Sequence, residues 1–201
     1  MNVGLIPMAA KPYHAGHHWL VGKAASQNDR VIIFVSVTDR KRKGEKPILG
    51  RDMERVWQEE LESIMPSNVE IRYGGSPVQK VYQEIIDAGN TGSADTYFVY
   101  SDATDTGLNY PEKNRIKYME PLYSQGQVRF PGEEDPAGFT RGEGSPDVSG
   151  TAMRQALQRG DIESFRRGLP GGVNAENIYN ILSDGISEQF LRAWVRGILR
   201  G

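Results

Sequence analysis

The sequence predicts an α/β protein built on a doubly wound, Rossmann-like parallel sheet with a helical C-terminal extension. Two observations predict this class. Apolar, β-branched runs alternate along the chain with amphipathic segments of helical period. One of these runs, residues 30–37, is a continuous β-branched run without alternation, as in a strand that is covered on both faces. Within the 201 residues we expect the sheet domain to span residues 1–160 and the helical extension to span residues 161–201.

Five short segments predict the strands of this sheet. The first is expected to stop early, because Pro7 interrupts it. The second, RVIIFVSV, has the clearest pattern of a buried strand. The five segments are residues 2–8, 30–37, 69–75, 95–102 and 127–130.

The segments between and after the strands predict helices. In residues 50–65, apolar side chains including Met53 and Trp57 recur at spacings of three and four, so Trp57 is expected in the core. A long loop is expected at residues 131–148, which hold four glycines and three prolines. The predicted helices are residues 15–28, 50–65, 77–89 and 151–160, followed by two or three more within residues 161–201, one of them over residues 186–199.

Composition excludes several classes of function. The net charge of −2, from 24 basic and 26 acidic residues, argues against nucleic acid and membrane surfaces as partners. The absence of cysteine excludes disulfides and thiolate chemistry. No apolar run approaches the roughly 18 residues of a membrane helix. We therefore expect a cytoplasmic protein, and leave a homo-oligomer open.

All three histidines of the chain lie in PYHAGHH, residues 12–18. The spacing of His14, His17 and His18 allows a metal site, solvated side chains or a phosphate-binding loop. No cysteine and no further histidine could complete a metal shell. In the phosphate interpretation, which we favour, Gly16 lets the backbone approach an anion at the helix N-terminus and the imidazoles donate hydrogen bonds to it.

Two motifs resemble those of the nucleotidylyltransferase superfamily. KPYHAGH (residues 11–17) is similar to its HxGH signature, and VSGTAMR (residues 148–154) is similar to its SGTxxR motif. The chain resembles nicotinamide and nicotinate mononucleotide adenylyltransferases, whereas residues 140–151 faintly resemble a cytidylyltransferase stretch. Met8 and Ala10 stand where the superfamily often has glycine and an aromatic residue, and lysine stands in place of the common aspartate or glutamine before the proline.

The resemblance covers residues 1–160 and implies transfer of a nucleotide monophosphate from ATP or CTP to a small phosphorylated acceptor, with release of pyrophosphate. Adenylyl transfer is favoured, and cytidylyl transfer to a phospho-alcohol or sugar is the alternative. Mg²⁺ is the implied cofactor, bound mainly through the triphosphate, with no metal-ligating residue of the protein. The residues implied to be catalytic are Lys11, His14, His17 and Arg154. Those implied to bind the nucleotide are Pro7, Met8, Gly16, Ser101, Asp102, Ser149, Gly150 and Thr151.

Basic residues concentrate in the loop TDRKRKGEKP, residues 38–47. They predict either a solvated loop or a lid over a phosphate or an acceptor, formed by Lys41, Lys43, Lys46 and Arg51. Two other classes of function compete with the enzyme: a non-catalytic nucleotide sensor, and an RNA-binding module. The near-neutral charge and the lack of aromatic residues in this loop disfavour RNA.

Overall fold

The computed structural model describes residues 1–43, 45–130 and 145–183. Its contacts group the chain into two compact units. Unit 1 comprises Met1–Ala9, Gly16–Ser36 and the described part of Met65–Asp147. Unit 2 comprises Ala10–Ala15, the described part of Val37–Ile64 and that of Val148–Gly201. Both units are therefore assembled from segments that are distant in sequence.

Unit 1 holds a five-stranded sheet in which every neighbouring pair is parallel, in the order β3-β2-β1-β4-β5. This order confirms the predicted doubly wound, Rossmann-like sheet. Each predicted strand is present, and four of the five are shorter than predicted. The strands are β1 (Asn2–Met8), β2 (Arg30–Val35), β3 (Val69–Tyr73), β4 (Thr96–Val99) and β5 (Val128–Arg129).

Strand β1 continues through Pro7, contrary to the expected early stop. The carbonyl oxygen of Leu5 accepts a hydrogen bond from Tyr100, on the β4 side. Because the backbone groups of successive residues face opposite neighbours, Pro7 also faces the β4 side. Pairing with β4 ends at Leu5 and Val99, so the missing N–H of Pro7 removes no bond from the ladder.

The helices follow the predicted order, with two additions. They are α1 (Ala15–Gln27), α2 (Gly50–Val56), α3 (Pro77–Asn90), α4 (Ala103–Asn109), α5 (Glu112–Tyr118), α6 (Gly150–Arg159), α7 (Ile162–Arg167) and α8 (residues 175–183). The sequence analysis did not predict α4 and α5. Helix α4 contains threonine and glycine, which are poor helix formers, and it is stabilised by a cap in which the side chain of Asp102 accepts the N–H of Asp105 at 2.8 Å.

One hydrophobic core of unit 1 lies on the sheet face that α3 covers. Val81 and Ile85 of α3 pack there against alternate residues of the strands. Since β-α-β crossovers are right-handed, the reversal of strand order after β3 places α1 and α3 on opposite faces. The strand residues of this core are Val3, Leu5, Ile32, Phe34, Tyr97, Val99 and Val128.

In unit 2 the predicted helix over residues 50–65 is present as three consecutive segments of different helical type. Helix α2 passes into a π-helical turn (Trp57–Leu61) and then a 3₁₀ turn (Glu62–Ile64). The indole of Trp57 is fully buried, as predicted, and packs edge-on against Tyr13 with ring centroids 4.8 Å apart.

Several sequence predictions fall on residues outside the described ranges. They are the helix over residues 186–199 and most of the loop over residues 131–148. The division into domains 1–160 and 161–201 stays a prediction. In the described ranges, none of the helices is long and apolar enough to cross a membrane.

The first residue of α2 is a test of packing in unit 2. A Cβ atom added at Gly50 would lie 1.6 Å from the carbonyl oxygen of Val37, which is backbone and cannot rotate away. We expect Gly50→Ala to lower the free energy of unfolding by about 3 kcal/mol. Gly22→Ala, in α1 with open space around the added atom, should instead raise it by up to about 1 kcal/mol. Urea unfolding measures both, and a Gly50→Ala variant as stable as the wild type would contradict this packing.

Candidate functional site

Arg154 is the centre of the candidate site in unit 2. It lies in the second turn of α6, where Ser149 is the N-cap and its hydroxyl accepts the N–H of Ala152 at 3.1 Å. A Cβ atom at Gly150 would lie 3.0 Å from Nη1 of Arg154. The glycine of the SGT motif thus leaves room for the guanidinium to fold back over the start of the helix. There Arg154 is only 6% exposed.

The guanidinium of Arg154 joins the two motifs. Nη1 donates to the carbonyl oxygen of Lys11 at 3.0 Å, and Nη2 donates to the hydroxyl of Thr151 at 3.0 Å. Nε lies 2.9 Å from Oε2 of Glu45. The KPYHAGH and VSGTAMR segments, more than a hundred residues apart in sequence, therefore meet at one buried cation.

One carboxylate, that of Glu45, faces two guanidinium groups at this site. Burial and the neighbouring charge of Arg40 lower the pKa of Arg154, while Glu45 opposes this shift. Partial burial alone would raise the pKa of Glu45, but Arg154 and Arg40 hold the pKa of that carboxyl below its ordinary value. The carboxylate is therefore ionised at neutral pH and compensates for two guanidinium groups.

Lys11 is a second buried cation of the site. Burial lowers the pKa of its ammonium to about 8; Asp39 opposes the shift and Arg40 adds to it. The Asp39 carboxylate has its own pKa lowered by hydrogen bonds from Lys41 and from the backbone N–H of Gly50. A lysine that is charged at pH 7 but only 7% exposed is held at a cost in stability, as is common for groups that bind anions.

The structure places the four predicted lid residues in and after the basic loop in different surroundings. Of the predicted lid residues, Lys41 pairs with Asp39 at 2.8 Å and Arg51 pairs with Asp52 at 3.3 Å. Lys43 is exposed and Lys46 half-buried. Their role as a lid stays a prediction.

Two residues of this loop that the sequence analysis did not select, Arg40 and Glu45, lie at the site. Nη2 of Arg40 lies 3.2 Å from Oε2 of Glu45, and Nε of Arg154 lies 2.9 Å from the same oxygen. The one signal in the sequence was the single acidic residue in the run RKRKGEK, since an acid that interrupts a basic run has cations within reach.

The HxGH motif passes from one unit to the other. His14 belongs to unit 2 and is buried. Gly16 and His17 belong to unit 1 and are half-buried in the first turn of α1. His18 lines a groove on α1 beside Trp19, and burial lowers the pKa of its imidazole. Over the described ranges, no three His, Asp or Glu side chains are grouped as metal ligands.

The remaining predicted site residues lie where the strand order of unit 1 reverses, between β1 and β4. Pro7 and Met8 end β1, and Ser101 and Asp102 follow β4. Sheets of this kind bind ligands outside the carboxyl ends of the strands at such a reversal. The carboxylate of Asp102 caps α4, which gives it a structural role; nucleotide binding by these four residues stays a prediction.

Comparison with known proteins gives a partial family match. The family described as Citrate lyase ligase C-terminal domain matches residues 3–47, which run from β1 through KPYHAGH into the basic loop. No curated protein sequence matches the chain. A crystal structure of Thermotoga maritima TmcAL bound with alpha-thio ATP (Form II) is similar, with a TM-score of 0.48 and 14% identity. The match covers 93% of this chain and 56% of that one, so the chain spans just over half the length of that protein.

The buried ammonium of Lys11 predicts a pH-dependent effect on stability. Its folded pKa of about 8 lies below the ordinary 10.5, so burial of the charge destabilises the fold fully below pH 8. The penalty disappears as pH rises towards 10.5, where the unfolded chain also loses the proton. We expect Lys11→Met to be more stable than the wild type by about 2 kcal/mol at pH 7, and the gain to shrink by pH 10.

Urea unfolding at both pH values measures this difference, with Lys80→Met, at an exposed lysine of unit 1, as control. A stability difference for Lys11→Met that stays constant with pH would contradict the shifted pKa.

Proposed function

We propose that the chain is an ATP-dependent nucleotidylyltransferase that moves the adenylyl group to a small phosphorylated acceptor and releases pyrophosphate. The observation that carries this proposal is the buried Arg154 guanidinium, which links the HxGH-like and SGTxxR-like segments at the start of α6. The partial match to the citrate lyase ligase family, over the first of those segments, also supports an enzyme that uses a nucleotide.

In the proposed reaction an acceptor oxygen attacks the α-phosphorus, the bond from that phosphorus to the bridging oxygen breaks, and pyrophosphate leaves with the electron pair. Arg154 and Lys11 would bind the leaving phosphates, and His14 and His17 would donate to oxygens that gain charge. Alignment contributes up to about 7–11 kcal/mol in model reactions, and a fixed donor about 3–4 kcal/mol. The rigidity of Arg154 therefore matters as much as its charge.

Mg²⁺ fits this proposal as a partner of the substrate. The acidic groups near the site are engaged with cations: Glu45 with two arginines, and Asp39 with Lys41. Phosphate oxygens would consequently supply most of the ligands. When bound, the metal neutralises charge on the triphosphate.

A second candidate follows from the word ligase in the name of the matching family. A carboxylate could attack the same phosphorus, with pyrophosphate as the leaving group. The acyl adenylate that forms could then be joined to a further group. Both candidates release pyrophosphate from ATP, and they differ in the acceptor.

A substrate panel tests the proposal and separates the two candidates. We expect pyrophosphate release with ATP, Mg²⁺ and one class of phosphorylated acceptor, and much less with CTP. In a second set of assays, carboxylic acids replace the phosphorylated acceptors and hydroxylamine is added. Hydroxylamine traps acyl adenylates as hydroxamates. Hydroxamate formation would establish the ligase candidate, and no pyrophosphate with any pair would favour a non-catalytic sensor.

The fixed position of Arg154 predicts that a positive charge alone at this residue is not sufficient for full activity. Arg154→Lys keeps the charge but loses the planar fork that reaches Lys11, Thr151 and a phosphate together. We expect kcat/KM for the triphosphate to fall about 10²-fold. The exposed Lys43, changed to alanine, should cost about tenfold or less at the same ionic strength. Wild-type activity of a folded Arg154→Lys variant, with an inactive Lys43→Ala, would contradict the assignment.

A further inference from the structure

Two guanidinium groups in unit 2 converge on a single carboxylate. Arg154 Nε lies 2.9 Å from Oε2 of Glu45, and Nη2 of Arg154 lies 3.5 Å from Oε1. Arg40 Nε and Nη2 donate to the same Oε2 at 3.3 and 3.2 Å. Convergence of two arginines on one anionic group is the arrangement by which proteins bind phosphate.

The guanidinium of Arg154 and the backbone of Arg40 are positioned independently of Glu45. Arg154 is fixed by the carbonyl oxygen of Lys11 and the hydroxyl of Thr151. The backbone of Arg40 is paired with Ile48 by two hydrogen bonds of 2.8 and 3.0 Å. The guanidinium of Arg154 would therefore remain in place if the carboxylate moved away, and the backbone of Arg40 would keep its position beside it.

Glu45 is an incomplete partner for this pair. Nε of Arg154 is fully buried and, over the described residues, has no partner in hydrogen-bond geometry, although the carboxylate is close enough for an ion pair. A buried N–H without a well-directed acceptor costs free energy. A phosphate group has more oxygens and up to twice the charge, so it satisfies these donors better than one carboxylate does.

The surroundings also carry excess positive charge. Arg40 and Arg42 both act to lower the pKa of Arg154, and Arg40 acts in the same direction on Lys11. Glu45, at 27% side-chain exposure, has a path to solvent that Arg154, at 8%, lacks. The Glu45 side chain can therefore move away from the two arginines while the buried Arg154 stays in place.

We propose that Arg40 and Arg154 form a binding site for a phosphate group of the nucleoside triphosphate, and that the Glu45 side chain occupies this site as a competitor which the triphosphate displaces. The inference rests on the proposed function and adds to it a phosphate-binding residue, Arg40, and a residue that limits affinity, Glu45. Removal of the carboxylate charge then strengthens binding, whereas removal of either arginine weakens it.

The experiment measures binding of inorganic tripolyphosphate to the full-length protein by titration calorimetry at fixed ionic strength. Glu45→Gln and Glu45→Ala should each bind about threefold tighter or more, and Arg40→Gln should bind more weakly than the wild type. Glu84→Gln is the matched control, because Glu84 has a similar exposure of 24% and pairs with Arg72 at 2.6 Å in unit 1. Its affinity should equal that of the wild type. Circular dichroism verifies that each variant is folded.

The outcomes separate the inference from the function on which it rests. Equal or weaker binding by both folded Glu45 variants, with tripolyphosphate still bound by the wild type, overturns the role of Glu45 and leaves the proposed function intact. If the wild type does not bind tripolyphosphate at all, the anion-binding site itself is overturned as well. Pyrophosphate release by the same wild-type preparation then decides the proposed function separately.

Discussion

The organisation of unit 2 depends on burying one positive charge. A guanidinium as shielded as that of Arg154 is tolerated only when its N–H groups have acceptors and its charge has a partner. The acceptors come from the segment after β1 and from α6 itself, and the charge partner comes from the basic loop. Three segments far apart in sequence are thereby held to one position, and the same contacts fix the orientation of the guanidinium.

Around Arg154 the electrostatics oppose folding. Lys11 and Arg154 are both buried cations whose pKa values burial lowers, and Arg40 adds to both shifts. A core of apolar residues in these places would fold with less opposition. In the structure the carboxylate of Glu45 partly offsets this repulsion, and the anion that we propose would offset it further. Asp39 has a related function, since its carboxylate both neutralises Lys41 and caps the start of α2 through Gly50.

Unit 1 illustrates how a parallel sheet accommodates local exceptions. Pro7 lies in a central strand without removing a hydrogen bond, because β4 has already ended on the side that it faces. The same shortness of β4 leaves Tyr100, Ser101 and Asp102 to turn the chain into α4, with Asp102 as the cap. The edge of the sheet where the strand order reverses is therefore built from residues with backbone duties of their own.

The sequence by itself determined the fold class, the five strands and the helices with strong period, because continuous apolar runs and amphipathic spacing report burial directly. It also selected Arg154, Lys11, Ser149 and Thr151, since their motifs are local. Only the tertiary structure decided the partners: that Arg40 and Glu45, rather than the lysines of the same loop, meet Arg154, and that α4 forms on a weak sequence. The periodicity of apolar residues does not report these contacts. Each depends on the pairing of a buried charge or a helix-terminal N–H group with an acceptor in the folded chain.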